Sequence, residues 1–233
     1  GLSLLEMTNC RFNNGSYFNT YCNSNLTSCQ FNTSVRPLGG NISYTDCDVY
    51  GDPLAIATLT LYNGYNCTIT IDGAVYTWNN GLLTDAENNV IVWSGSSFQN
   101  SLNRISDDNA TILFANDIEG DVTIVQKPDA HVTIDGNGKN FSGHITVDGK
   151  SATYLTAGLT IKDLNFMAES ISADACVNLG ESGDNNTRYT CNVTLENCTF
   201  DVPGAVGVKS YTGGDKNLTI KNCTATSNAH SLV

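Results

Sequence analysis

Val193-Thr194-Leu195-Glu196-Asn197-Cys198-Thr199-Phe200 and Leu218-Thr219-Ile220-Lys221-Asn222-Cys223-Thr224-Ala225 spell one eight-residue pattern twice. The same pattern occurs at residues 5–12, 42–49 and 159–166, and in shortened form at 26–31. Apolar and polar positions alternate through the first four residues, so the first and third side chains face one side of a strand. The fifth residue is Asn or Asp in five of the six copies, types that tolerate the left-handed region and mark a corner. A Cys or Leu follows, and two residues later usually a Phe, both pointing inward on the next short strand. Between equivalent Cys or Leu positions the steps are 19 (10 to 29), 18 (29 to 47), 34 (164 to 198) and 25 (198 to 223), and residue 132 to residue 159 is 27. Steps of this size with variable insertions fit one coil of a parallel β-helix, each coil stacked on the last and loops leaving at the corners. A β-sandwich would show hairpin spacings of about 8–12 residues. The expected fold class is therefore all-β, a parallel β-helix solenoid with a short capping helix and a small β insertion.

Asp121-Val122-Thr123-Ile124 followed by Val132-Thr133-Ile134-Asp135-Gly136-Asn137-Gly138-Lys139 resembles the first coils of the pectin-lyase-like superfamily of right-handed parallel β-helices. The Asn-Cys-Thr-Phe repeats also resemble those of secreted adhesin-like proteins of bacteria and archaea. The likeness covers residues 110–233 best and 3–50 less closely. It implies a fold rather than an activity, since the superfamily holds lyases, hydrolases, phage tailspikes and non-enzymatic surface proteins.

Residues 52–109 leave the pattern. Strands are expected at 55–61, 67–71, 75–78 and 90–93, separated by the turn formers Asn63-Gly64, Asp72-Gly73 and Asn79-Asn80-Gly81. Residues 97–105 place Phe98, Leu102 and Ile105 on one helical face, with a Ser as N-cap. Such a helix covers the open end of a β-helix and hides strand edges. Three segments follow: 1–51 and 110–233 as β-helix blocks, and 52–109 as a small β segment with the cap. The other arrangement is one continuous stack from which 52–109 projects.

The nine Cys stand at 10, 22, 29, 47, 67, 176, 191, 198 and 223, with no C-x-x-C pair, and His is confined to His131, His144 and His230, so no zinc site is expected. Cys10, Cys29, Cys47, Cys198 and Cys223 share the repeat position that Leu164 fills in another coil, which makes it an apolar, inward site and the cysteines a ladder of free thiols. Cys176 and Cys191 lie off that position and are the pair expected to form a disulfide if any does. Twelve N-x-[ST] sequons are present, at Asn14, Asn25, Asn32, Asn41, Asn66, Asn109, Asn140, Asn185, Asn192, Asn197, Asn217 and Asn222. That is about twice what the composition gives by chance. The excess is explained by a glycosylated extracellular surface or by repetition of one strand-entry motif.

Charge and hydropathy exclude several classes. The net charge of −12, from 11 Lys+Arg against 23 Asp+Glu, argues against nucleic acid or an anionic membrane as partner. No apolar run approaches the ~20 residues a membrane helix needs, and no signal peptide is visible at the start. Both ends fall inside or beside repeats, consistent with a piece of a longer polypeptide or with a Gly1 left by a tag.

Catalytic signatures are weak. Asp107-Asp108 is the only adjacent acidic pair and sits where Asp starts turns. Residues 135–140 resemble half a calcium loop, but Lys139 stands at a ligand position and no Glu closes it. Arg104, Lys162, Arg188, Lys209 and Lys221 are scattered, and His144 is alone. The lyase branch of the family needs acidic calcium ligands beside a basic residue, and the hydrolase branch its Asn-Thr-Asp and His-Gly signatures; neither pattern occurs. No catalytic residue, metal or cofactor is assigned. Trp78, Trp93, Tyr62, Tyr65, Tyr76, Tyr189 and Tyr211 could stack on sugars or fill a small core. The expected function is a non-enzymatic structural or adhesion module at the cell surface, with insertions at 167–190 and 201–216 as contact surfaces. Its partners would be glycans and further coils, from its own polypeptide or from copies docked head to tail. The alternative is a carbohydrate-active β-helix, a lyase or hydrolase fragment or a tailspike section.

Overall fold

The computed structural model describes residues 3–14, 17–19, 22–38, 40–59, 67–79, 81–105, 109–125, 130–148, 158–167, 175–180, 191–210 and 216–226. The chain is mostly β and divides into two units, residues 1–89 and 90–233.

In the second unit three parallel sheets take their strands in turn as the chain advances. The long sheet holds Val90–Val92, Ala110–Phe114, His131–Asp135, Gly158–Lys162, Cys191–Glu196 and Lys216–Lys221. A second sheet holds Ile118–Glu119, Asn140–Ser142, Asn165–Met167, Thr199–Asp201 and Thr224–Ala225. The third holds Val122–Val125, Ile145–Asp148, Ala175–Leu179 and Val206–Ser210. One strand from each makes a rung.

Register follows the pleat. Ile112, Ile134, Ile161 and Leu195 are paired in succession on the long sheet and all fully buried. On the second sheet Phe141, Phe166 and Phe200 pair likewise, their rings 5.7 and 5.0 Å apart, and Phe114 extends the column at 6.2 Å from Phe141. Ile145, Val177 and Val208 line the third sheet. The residues of these columns are buried, and their burial is the main source of stability.

The first unit is built alike on shorter turns. Leu4–Thr8, Asn23–Thr27, Ile42–Thr45 and Cys67–Ile71 pair in parallel, after which Ala74–Asn79 and Leu82–Thr84 continue antiparallel. Arg11–Phe12 pairs with Gln30–Phe31, and Tyr17–Asn19 with Arg36–Leu38. Phe12 stacks on Phe31 at 4.7 Å, and Tyr44 meets Phe31 edge-on.

The corner position behaves as its residue type requires. Asn9, Asp46, Asp163, Asn197 and Asn222 all have φ between 50° and 55°, and Ser28, in the shortened copy, has φ 52°. At the wider corner after His131–Asp135 the left-handed residue is Asn137, and a Cβ on Gly136 would come within 2.6 Å of the Leu164 Cα. Only glycine lets the next rung approach there.

Three expectations are corrected. Residues 55–61 do not begin as a strand: Pro53–Thr58 is a 3₁₀ helix, because the Asp52 carboxylate accepts from the Leu54 and Ala55 amides and Pro53 presets the first turn. The helix runs Gly95–Arg104 with Ser94 as N-cap, and Ser97 closes a capping box at its third position. Finally, residues 52–109 are not a body of their own. Cys67–Ile71 extends the parallel sheet of the first unit, whereas Val90–Val92 and the helix belong to the second.

The helix covers the first rung of the second unit. Fully buried Phe98 meets Phe114 at 5.0 Å and Phe141 at 6.1 Å, so it heads the phenyl column. The Gln99 amide hydrogen-bonds the strand beside it: the Thr123 amide donates to Gln99 Oε1 at 2.9 Å, and Gln99 Nε2 donates to the Thr123 carbonyl at 3.1 Å. One side chain thus imitates a neighbouring strand on the outermost strand of the third sheet.

Candidate functional site: outer face, corner ladder and thiol column

Residues that alternate with the buried columns form straight rows on the outer face of each long sheet. In the second unit Thr111, Thr133, Thr160, Thr194 and Thr219 are paired one to the next across five strands. Beside them runs Asp135, Lys162, Glu196 and Lys221, a row of alternating charge. Lys162 Nζ lies 2.6 Å from Asp135 and 3.6 Å from Asp163, and the hydrogen bond to Asp135 raises its pKa. On the other side of the threonines lies His131, whose Nε2 is 3.1 Å from Thr160 Oγ1. Gly158 leaves the room for its ring, since any side chain there would collide with it. The first unit repeats the device with Thr8, Thr27, Thr45 and Thr70 in one row and Glu6, Asn25, Ser43 and Thr68 in the next. The charge row is self-neutralised, so these faces present hydroxyls and amides at a repeat set by the strand spacing of about 4.8 Å.

Along the corner after the long sheet of the second unit runs a polar groove of about 390 Å³ lined by Asp135, Asn137, Gly138, Asp163, Asn165 and Asn197. Its walls bond from rung to rung. Asn197 Nδ2 donates to Asp163 Oδ1 at 3.0 Å, Asn222 Nδ2 to Asn197 Oδ1 at 3.4 Å, and Asn165 Nδ2 to the Gly138 carbonyl at 3.0 Å. The segment resembling half a calcium loop is an Asx turn, the Asn137 amide donating to Asp135 Oδ1 at 2.8 Å. A matching contact joins Asn140 to Asp117, backbone to Oδ1 at 2.9 Å and Nδ2 to Oδ2 at 3.1 Å. His144 is not isolated: its Nδ1 is 2.8 Å from Asp121 Oδ1.

The repeat cysteines stack inside these corners. Cys29, Cys47 and Cys198 are buried; Cys10 and Cys223, on the outermost described rungs, are half-buried. Each thiol donates to the carbonyl two residues back, as Cys47 does to Thr45 at 3.4 Å, and Cys47 and Cys198 also reach carbonyls of the preceding rung, Leu26 and Ile161. Burial pushes Cys47 up to about 11 and Cys198 up to about 12, so both are neutral thiols. Off the ladder, burial likewise takes Cys67 and Cys176 up to about 12. Cys176 is a free thiol on Ala175–Leu179, and the side chain of Cys191, named above as its partner if any disulfide forms, lies outside the described residues.

Of the twelve sequons, Asn66 and Asn185 lie outside the described residues. Asn14, Asn25, Asn41, Asn109, Asn197, Asn217 and Asn222 are exposed, and Asn32, Asn140 and Asn192 are half-buried. Trp78, Trp93 and Tyr76 are half-buried; Tyr62, Tyr65, Tyr189 and Tyr211 and the Asp107-Asp108 pair fall outside the described residues. The expected contact insertions are in part strands of the third sheet, Ala175–Leu179 and Val206–Ser210, and residues 168–174, 181–190 and 211–215 of them lie outside the described residues. The polar rows were missed at the sequence level, although the Thr in the second repeat position pointed to them. Compared with family profiles, curated proteins and solved structures, the chain gives no match.

Proposed function

We propose that the chain is an exported, non-enzymatic scaffold, a parallel β-helix serving as a module of a cell-surface adhesin or extracellular filament, in the manner of the pectin-lyase-like surface proteins it resembles. The observation that carries this reading is the in-register stacking itself. Three sheets receive one strand each per turn, and columns of Ile, Val, Phe and Cys inside are matched by rows of Thr, Asn and balanced charge outside. A body assembled this way is quasi-one-dimensional, each rung supported by its neighbours, and suits a rigid spacer presenting long flat faces. Cys29, Cys47 and Cys198 are buried, which shields these thiols from oxidants outside the cell. Partners under this reading are glycans and further rungs of the same kind.

The test is location and adhesion together. Protease treatment of intact source cells should remove the chain, and antibody against it should label the cell surface and block attachment. Retention of the chain inside protease-treated cells refutes the proposal. The second reading, a carbohydrate-active β-helix, draws on the corner groove with Asp135, Asp163 and Lys162 at its edge. Release of reducing or unsaturated sugars from acidic polysaccharides, lost in Asp163→Asn, would favour it instead.

A further inference from the structure

Two structural sets stand out among the described sequons. Asn140, Asn197 and Asn222 each commit the amide nitrogen, the atom that would carry a glycan, to a contact with the preceding rung: Asp117 at 3.1 Å, Asp163 at 3.0 Å and Asn197 at 3.4 Å. Asn25, Asn109 and Asn217 are exposed, and their amide nitrogens donate no hydrogen bond among the described residues. Asn25 lies in the outward row between Glu6 and Ser43, and Asn217 lies in the row that pairs with Asn192.

We infer that, among the described sequons, Asn25, Asn109 and Asn217 accept N-glycans in the folded chain and that Asn140, Asn197 and Asn222 stay bare. This rests on the exported reading above. An amide nitrogen carrying a sugar keeps a single N–H, and the sugar occupies the space beside it. In the corner ladder that space belongs to the next rung, about 4.8 Å away. A glycan on Asn197 Nδ2 would take the place that Asp163 Oδ1 occupies 3.0 Å away. Chains modified there before folding fail to close the corner and drop out of the folded population. A glycan on an outward row projects into solvent and leaves the ladder intact. Asn197 and Asn222 are therefore structural residues that spell a sequon because the repeat needs a left-handed Asn followed two residues later by a strand-forming Thr, while Asn140 is held by Asp117.

The experiment is secretion of the whole chain from an N-glycosylating host, isolation of the folded monodisperse fraction, and site occupancy by mass spectrometry after enzymatic deglycosylation in heavy-oxygen water. Asn25, Asn109 and Asn217 should be occupied in most molecules and Asn140, Asn197 and Asn222 in almost none. Corner occupancy equal to that of the outward sites, or bare outward sites, overturns the inference. Asp163→Ala frees the Asn197 amide and should raise occupancy at Asn197 several-fold in the fraction that still folds by circular dichroism. Should Asn197 stay bare there, the ladder is not what protects it and the inference fails. The host supplies the transferase, so these results stand apart from native export. A protein bare when taken from its own cells, yet following this pattern in the host, refutes the exported reading and upholds the sorting of sites.

Discussion

Truncating Phe166 is the sharpest probe of the stacked interior. The ring is fully buried, 5.7 Å from Phe141 in an edge-on contact and 5.0 Å from Phe200 in a stacked one. Phe166→Ala should cost about 3–5 kcal/mol, the lost transfer energy plus the cavity. The share belonging to the column is isolated by a double-mutant cycle. Phe166→Ala with Phe200→Ala should show a coupling of about 0.5–1.5 kcal/mol, the value of one aromatic pair beyond its buried area. Phe114 and Phe200 are three rungs apart, well beyond ~10 Å at about 4.8 Å per rung. Their effects should therefore add to within about 0.3–0.5 kcal/mol. Urea unfolding followed by circular dichroism, on wild type, single and double variants, supplies each term from midpoints at a common slope. A neighbour coupling no larger than the distant one would refute a rung-by-rung column, whatever the cost of the single variants.

Other consequences are accessible to simple assays. In the native protein at neutral pH, a thiol reagent should modify Cys10 and Cys223 well before Cys29, Cys47, Cys67, Cys176 or Cys198, and urea should abolish the difference; equal labelling rates without urea would contradict the buried ladder. Because burial raises the folded-state pKa of Cys47 to about 11 and of Cys198 to about 12, their contribution is complete below the unfolded value of about 8.5. It is lost as the pH climbs from there through the folded values, so the urea midpoint should fall on going from pH 8 to pH 10, and less so in Cys198→Ala. Gln99→Ala removes two hydrogen bonds to the Thr123 backbone and should cost about 1–2 kcal/mol. Hydrogen exchange at the Thr123 amide should accelerate; unchanged exchange would show that the helix does not protect that strand. Asn197→Ala should destabilise by about 1–2 kcal/mol more than Asn197→Gly, since both lose the two ladder bonds but only alanine resists the left-handed region. Equal costs would remove backbone strain as the cause.

What could be read from the chain alone is what the chain decides locally. Alternation sends residues to opposite faces of a strand regardless of what lies beyond, so Ile161, Leu195 and the buried Cys198 were legible as inward positions. A left-handed corner depends on the residue that adopts it, and Asn9, Asp46, Asp163, Asn197 and Asn222 all do so. The helix, too, was legible from its own apolar face, although its cap stands at Ser94.

Tertiary structure alone decided the rest, because it depends on register between segments joined by loops of unequal length. No local signal says that Thr160 sits beside Thr133 rather than slipped by a residue, that Lys162 falls between Asp135 and Glu196, or that Phe98 heads the phenyl column. Those matches are set when the interior closes and each rung must present its apolar side chains over those of the rung before. The same closure draws Cys67–Ile71 into the first unit and Val90–Val92 into the second, across a segment that its own sequence leaves undivided.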